Sequence, residues 1–422
     1  MPINYNRERL ADGIHYTTII NKQLKTNFIV IHMLTELSEE NAALNAIIPT
    51  VLTYSNAEIT DNKELNAKLH SLYGANLGGY YSKYGDTHNL MLSASCINDR
   101  YCLEGEKITE ELAAITADCL TKPHLEGEAF CEKAFALKKQ ELLDFIDSEI
   151  NDKRSYAFKQ ASYNIYRDEP AAVPISGSRE QAEKLTAADA YKQYKKLLKT
   201  SQTEVFFIGA EPNEECKKIL SDALLKIDRE YAGDNFTEKS PTKAEVCRVT
   251  EPHDVAQSKM IIAFKTDCDN IEVMDLMLAV YGATPFSKLF MNVREKLSLC
   301  YYCASGHNSL KGTVYVDSGV EHTNTGKAEA EILNQLEAMK KGDFTDEELE
   351  NSRRTIINNI KGINDNPQSI GHWYFHRIYE NDIYSPEEYI ERVKKVARED
   401  VIAAANSLKL DTVYVLTGKE TV

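Results

Sequence analysis

Two histidines have a spacing that could support chemistry. His372 and His376 lie four residues apart, and on a helix this spacing could hold a metal ion. However, Trp373 stands where an H-E-x-x-H pattern needs its glutamate, and no third ligand is evident. The pattern therefore predicts an aromatic helix face packed against the core rather than a metal site.

Two other motifs also lack the context that chemistry needs. Cys300 and Cys303 form a lone C-x-x-C pair without a second pair or a thioredoxin-like βαβ context, so the pair is interpreted as incidental. The glycine-rich run 73–79 lacks the spacing with which glycine loops hold phosphate, and it predicts a helix C-cap and a turn before a strand. Neither H-x-x-E-H nor H-E-x-x-H occurs in the 422 residues.

An internal duplication organises the chain. The segment that starts at Ile150 resembles the segment that starts at Ile363, and the same offset of 213 residues relates Tyr166 to Tyr379. In each half an amphipathic segment follows, and then a short apolar strand that ends at Gly209 or at Gly418. The ordered matches predict one α+β domain built twice, each an antiparallel sheet packed with helices.

The predicted domains are separated by a polar segment. Residues 229–246 contain Gly, Pro, Ser and Asn without periodicity, which is typical of a linker between domains at 1–228 and 247–422. Within the domains, apolar runs bounded by turn residues predict strands, and 3.6-residue periodicity predicts helices. Strands are expected at 28–33, 89–95, 259–264 and 313–316, and helices at 41–54, 62–72, 108–120, 128–150, 270–282, 326–341 and 345–362.

Composition limits the classes of partner. The net charge of −16 argues against a nucleic-acid or anionic-membrane partner, although the acidity is also what solubility alone would require. No apolar run is long enough to span a membrane, and the first residues lack the apolar stretch of a secretory signal. Nine scattered cysteines indicate reduced thiols, and we expect a cytoplasmic protein.

A motif in the second half resembles the insulinase/pitrilysin-type peptidases, which include the mitochondrial processing peptidase. The run Phe286–Tyr301, with its Arg-Glu-Lys block followed by a tyrosine, is similar to a stretch in the C-terminal half of these proteins, and 343–367 is similar to the segment that follows it. The resemblance covers almost the whole chain. It implies two α+β domains in a clam-shell arrangement around an extended peptide.

The same resemblance implies that the zinc site has been lost. Active members carry H-x-x-E-H on a helix of the first half, and the corresponding segment here is 40–52. The two histidine positions fall on Ala46 and Thr50, and the glutamate position falls on Pro49. Ala and Pro offer no donor atom and Thr is a poor zinc ligand, so neither metal binding nor water activation is expected. The distal glutamate would fall near Phe145, beside Asp144.

Arg294 and Tyr301 are the family's remaining functional positions. The resemblance implies that they bind substrate, because Arg can hold peptide carbonyls or a carboxylate and Tyr can donate to an oxyanion. Alternatively, Arg294 is a surface charge and Tyr301 is core filler, and the adjacent Tyr302 leaves the choice of tyrosine open.

We therefore expect a non-catalytic subunit with no cofactor of its own. It would pair with a zinc-bearing insulinase-like paralogue and supply Arg294 and Tyr301 to a shared peptide site. The alternatives are a stand-alone peptide-binding or scaffold protein, which could form a homodimer, and an enzyme with a relocated metal site. The sequence names neither the peptide nor the partner.

Overall fold

The computed structural model describes residues 4–233 and 237–418, which form two compact units. The first unit contains Met1–Asp147, Val173–Phe236 and Asn364–Asn381. The second contains Ser148–Ala172, Thr237–Ile363 and Asp382–Val422. Neither unit is continuous in the chain, so their composition differs from the predicted segments 1–228 and 247–422.

Mixed sheets form the centre of both units. Among the described residues, the strands are β1 (Asn4–Ala11), β2 (Ile14–Ile20), β3 (Thr26–Glu36), β4 (Asn76–Tyr84), β5 (Thr87–Ile97), β6 (Leu125–Glu126), β7 (Ala129–Phe130), β8 (Gln202–Gly209), β9 (Cys247–His253), β10 (Ser258–Lys265), β11 (Cys300–Asn308), β12 (Thr313–Val320) and β13 (Lys409–Gly418). The strand order is β1-β2-β8-β3-β5-β4 in the first unit and β11-β12-β10-β13-β9 in the second, and β6 pairs with β7.

The two strand orders reveal the duplication. Apart from β1, the second order read backwards matches the first, with β9 and β13 in the places of β2 and β8. The predicted antiparallel sheets require one correction, because β2 with β8 and β9 with β13 are parallel pairs. Each pair joins an early strand of a repeat to its last strand, and the elements between them provide the long crossover that a parallel pair requires.

Helices cover the sheets. Among the described residues they are α1 (Ala42–Leu52), α2 (Asn62–Ser71), α3 (Ile108–Thr121), α4 (Glu132–Ser148), α5 (Lys153–Ile165), α6 (Arg179–Lys184), α7 (Ala187–Thr200), α8 (Glu214–Leu225), α9 (Ile271–Leu278), α10 (Thr325–Lys340), α11 (Asp346–Lys361), α12 (Pro367–Tyr379), α13 (Pro386–Lys395) and α14 (Arg398–Ser407). The predicted helix 270–282 divides into α9 and a π-helical turn, Ala279–Ala283.

The repeat segments that start at Ile150 and Ile363 form α5 and α12. Each of these helices belongs to the unit that is built mainly from the other half of the chain. α5 comes from the first half of the chain but packs on β10 and β13, where Ala157 and Ala161 belong to a buried cluster with Ile261 and Leu416. α12 comes from the second half and packs on β3 and β8. Small residues bring each helix close to its sheet, and Gly371 of α12 lies against Phe28 and Ile208.

The predicted linker 229–246 has no helix or strand in the part that the structure describes, while residues 234–236 lie outside it. Its later residues are anchored to the second unit. Lys243 donates to the Asp411 carboxylate at 2.6 Å and to the Ile165 carbonyl at 2.9 Å. Through the two described ranges, no helix is long and apolar enough to cross a membrane.

Candidate functional site

Helix α1 carries the positions at which the zinc motif was expected. Ala46 is fully buried, and the Pro49 side chain has no donor atom. The Thr50 hydroxyl donates to the Ile47 carbonyl at 2.7 Å, so it is engaged within its own helix. These side chains do not fit a zinc ion.

Close packing of β4 occupies the space beside these positions. The Gly79 backbone approaches α1 so closely that a Cβ atom on this residue would lie 1.9 Å from the Pro49 carbonyl oxygen. The strand backbone therefore packs directly on the helix backbone at these positions.

A buried polar network anchors α1 in place of a metal. The Gln193 amide donates to Asn45 Oδ1 at 2.8 Å, and Asn45 Nδ2 lies 3.4 Å from His88 Nδ1. Burial, with a smaller effect from the Lys83 charge, lowers the pKa of His88 to about 3. The imidazole is therefore neutral at physiological pH, and the network is uncharged.

The region of the expected distal ligand is equally unsuited to a metal. Phe145 is exposed on α4, and Asp144 accepts a hydrogen bond from Gln140 at 2.7 Å. Across residues 4–233 and 237–418, no group of three or more His, Cys, Asp or Glu side chains is arranged to hold a metal ion. The pair His372 and His376 lies on α12 with their rings 4.4 Å apart, among Tyr84 and Phe375.

Arg294 lies on a π-helical segment, Leu289–Lys296, in the second unit. Leu289 and Val293 bury the inner face of this segment, and the Arg294 side chain is 41% exposed. Its guanidinium lies 4.6 Å from the Phe290 ring centroid and 3.6 Å from the Glu295 carboxylate. The guanidinium is thus accessible, and its contact with the Glu295 carboxylate is long.

The two candidate tyrosines have different environments. A bulge in β11 between Cys300 and Tyr302 leaves Tyr301 60% exposed, and its hydroxyl donates to Glu321. This hydrogen bond raises the pKa of Tyr301. Tyr302 is partly buried, its hydroxyl donates to Asp317 at 3.1 Å, and burial followed by the Asp317 charge raises its pKa. Of the two tyrosines, Tyr301 is the more exposed.

The segment around this pair also exposes apolar side chains that the sequence-based reasoning missed. Phe286, Met291 and Leu297 are each about half exposed. Large apolar side chains exposed close together in the chain are typical of an interaction site when they adjoin on the surface. These three residues do not share the helical periodicity of the buried Leu289 and Val293. That difference in spacing is the sequence signal from which their exposure could have been predicted.

Comparison with known proteins shows which proteins the chain resembles. Residues 184–356 match the family model described as the peptidase M16 inactive domain. A probable inactive metalloprotease, YmfF, from Bacillus subtilis is 25% identical over 412 residues, which cover 97% of this chain and 96% of that protein. The chain is therefore similar to inactive M16-like peptidases, and residues 184–356 match the family's inactive domain.

Other relatives and solved structures agree with this fold. The chain is 23% identical to an uncharacterized zinc protease from Rickettsia bellii, over 97% of this chain and 96% of that protein. A conserved protein from Enterococcus faecalis superposes with a TM-score of 0.90 at 23% identity, over 99% of this chain and all of that one. A peptidase M16 inactive domain from Pseudomonas fluorescens superposes with a TM-score of 0.80 at 15% identity, over 99% of this chain and 98% of that one.

Proposed function

We propose that this non-catalytic homologue is a partner subunit that supplies Arg294 and Tyr301 to the peptide site of a zinc-bearing relative. The observation that carries the proposal is the contrast between the two candidate sites. At the α1 positions Ala46 and Pro49 offer no ligand atom and the Thr50 hydroxyl is bonded within its helix, whereas Arg294 and Tyr301 are exposed and close together in the chain. A peptidase site that needs zinc must therefore obtain it from another chain.

The chemistry of the exposed pair suits peptide binding. The planar Arg294 guanidinium can donate to peptide carbonyls or to a carboxylate. The Tyr301 phenol is protonated at neutral pH, so it can donate to an oxyanion once it leaves Glu321. The exposed Phe286, Met291 and Leu297 supply apolar area for a partner or a peptide. Nine free cysteines support a reducing, cytoplasmic setting.

The test mixes the protein with relatives that carry H-x-x-E-H and measures two quantities, complex formation by light scattering after size exclusion and hydrolysis of fluorogenic peptides. We expect a heteromer whose activity exceeds that of either protein alone. Tyr301→Phe removes one donor and is expected to lower kcat by about 100-fold, as loss of an oxyanion donor does. Arg294→Ala is expected to raise KM.

Matched controls separate this pair from general effects of charge and aromaticity. Arg354→Ala removes a more exposed arginine on α11, and Tyr163→Phe alters an exposed tyrosine elsewhere. Both are expected to retain full activity in the heteromer. If no zinc-bearing relative forms a complex, or if Arg294→Ala and Tyr301→Phe behave like these controls, the proposal is wrong. A homodimer that is inert toward every such relative would instead favour the scaffold hypothesis.

A further inference from the structure

The first unit contains a cleft on the face of its sheet opposite to α1. Successive strand residues alternate between the two faces, so Leu90, Leu92 and Ala94 of β5 are buried beneath α1. Met91, Ser93 and Ser95 point to the other face and are only partly buried. α12 packs on β3 and β8 of that face. The portion over β4 and β5 remains open as a cleft of about 540 Å³, within the size range of small-molecule sites.

Aromatic rings form the walls of this cleft. Phe28 and Phe375 line one side, and Tyr84 packs edge-on against Phe375 with ring centroids 5.1 Å apart. At the rim, Tyr80 is 54% exposed and lies over Gly78, where an added Cβ atom would be 2.8 Å from the Tyr80 hydroxyl. Ring edges and faces at this spacing favour a further aromatic ring as occupant.

Hydrogen-bonding groups accompany the rings. Ser93 and Ser95 lie on the floor strand, and Ser82 and Asn76 lie on the neighbouring edge strand. At the α12 side, Gln368 adds an exposed amide. These short hydroxyl and amide side chains can donate and accept, so an occupant with a hydroxyl or amide group could be oriented.

The lining carries no formal charge at neutral pH. It contains no Asp, Glu, Lys or Arg. Burial lowers the pKa of His32 to about 4, lowers that of His372 below its usual value and raises the pKa of Tyr84 to about 12, so these three rings are neutral. A charged ligand would lose hydration here without gaining a counter-charge, which disfavours it.

We propose that this cleft binds an uncharged aromatic ring that carries a hydrogen-bonding substituent, such as a phenol or an indole. Either the aromatic side chain of a peptide or a free aromatic compound has this chemistry. The cleft is built only from residues of the first unit, and the proposal is independent of Arg294 and Tyr301.

The experiment titrates the full-length protein with N-acetyl-tyrosinamide and N-acetyl-tryptophanamide by saturation-transfer NMR and calorimetry. We expect saturable binding with a Kd on the order of 1 mM or tighter, which is reasonable for ligands of this size. N-acetyl-leucinamide, N-acetyl-aspartate and tetramethylammonium are expected to bind at least about tenfold more weakly. A parallel titration with 4-hydroxybenzamide distinguishes the two sources, because only a peptide site would prefer the amino-acid amides.

Two variants localise the binding. Ser93→Phe fills the cleft and is expected to abolish binding, while Tyr80→Ala removes the exposed rim ring and is expected to weaken binding about tenfold. The matched control Tyr163→Ala removes a tyrosine of similar exposure, 50%, in the second unit and is expected to change nothing. Absence of saturation at 10-fold the expected Kd, tighter binding of tetramethylammonium than of the aromatic amides, or unchanged binding in Tyr80→Ala would overturn the proposal.

Discussion

At the residue scale, Gly79 allows β4 to pack closely on α1 at the predicted positions of the zinc motif. The resemblance placed two of the zinc-motif positions on Pro49 and Thr50, and the β4 backbone packs directly against the helix backbone there. A glycine is required at position 79 because a Cβ atom there would overlap the Pro49 carbonyl. The position therefore has a structural role that can be measured.

Gly79→Ala is expected to destabilise the protein by about 1–3 kcal/mol or more, because overpacking here meets backbone atoms that cannot rotate away. The measurement is the free energy of unfolding from urea titration. Gly326→Ala is the matched control, since nothing lies within 4 Å of its added Cβ atom on α10, and it is expected to stabilise by about 0.4–1 kcal/mol. Equal stability of the two variants would contradict this account of the α1–β4 contact.

At the element scale, the segment that contains α5 is secured to the second unit by buried charge. The Lys311 ammonium is almost fully buried and lies 2.7 Å from the Glu169 carboxylate, just beyond the end of α5. Ser240 also donates to this carboxylate at 2.6 Å. Because the Glu169 carboxylate pairs with Lys311 and also accepts a hydrogen bond from Ser240, it fixes the position of the segment that contains α5 within the second unit.

Glu169→Gln is expected to lower the free energy of unfolding by about 3–5 kcal/mol, because the buried Lys311 ammonium loses its carboxylate while remaining out of water. Glu183→Gln is the control, since Glu183 pairs with Arg179 on the surface and both side chains are about half exposed. That change is expected to remain within about 0.5 kcal/mol of the parent protein. Comparable unfolding curves for the two variants would show that the Glu169 contact contributes little.

Local sequence signals predicted the positions of helices and strands in the chain better than they predicted which sheet each helix packs on. The sequence predicted a helix at 345–362, and α11 spans Asp346–Lys361 with both hydrogen bonds of a Thr345–Glu348 capping box at its start. The aromatic face predicted from His372 to His376 exists, but periodicity indicates only that a helix has an apolar face, not which sheet will cover it. The exchange of α5 and α12 therefore could not be predicted from the sequence pattern.

The same limit applies to the candidate sites. Arg294 and Tyr301 could be proposed from the resemblance, but the choice between Tyr301 and Tyr302 depended on a bulge that shifts the strand register. Alternation of side chains cannot reveal an inserted residue without the partner strand. The aromatic cleft was also missed, although Ser93 and Ser95 alternate with buried apolar residues in a strand that the sequence marked as core.

At the scale of the whole molecule, the helix exchange makes each half of the chain incomplete. A fragment of residues 1–233 lacks α12, whose Phe375 stacks on His32 with centroids 4.0 Å apart and whose Tyr374 stacks on Tyr5 at 4.7 Å. A fragment of residues 237–422 lacks α5, which buries Ile261 and Leu416. Both fragments would expose apolar sheet faces to water.

We expect neither fragment to fold alone and the co-expressed pair to assemble into a soluble complex, because together they restore both exchanged helices. Near-ultraviolet circular dichroism and solubility are the measurements. The control is the full chain cleaved by a protease at a site inserted between residues 233 and 237, which should retain its native spectrum. A cooperatively folded fragment 1–233 would show that α12 is dispensable for the first unit.

Acidity should act mainly on the first unit, because it contains four histidines whose pKa is lowered by burial, namely His32, His88, His372 and His376. The values are about 4 for His32 and about 3 for His88 and His376. The unfolded chain takes up these protons below about pH 6.5, whereas the folded unit does not, so stability is complete above that pH and declines as pH falls. Between pH 6.5 and pH 5, each fully buried histidine removes about 2 kcal/mol.

Trp373 makes this loss measurable, because the sole tryptophan of the chain lies on α12 and its fluorescence follows the first unit. Urea unfolding at pH 7 and pH 5 should show a large decrease in the free energy of unfolding. In His32→Asn that decrease should be smaller by about 2 kcal/mol, because one buried site no longer gains a proton on unfolding. His70→Asn, at an exposed position on α2, should respond to pH like the parent protein. An identical pH response in His32→Asn and the parent would mean that His32 is protonated, and therefore hydrated, in the folded unit.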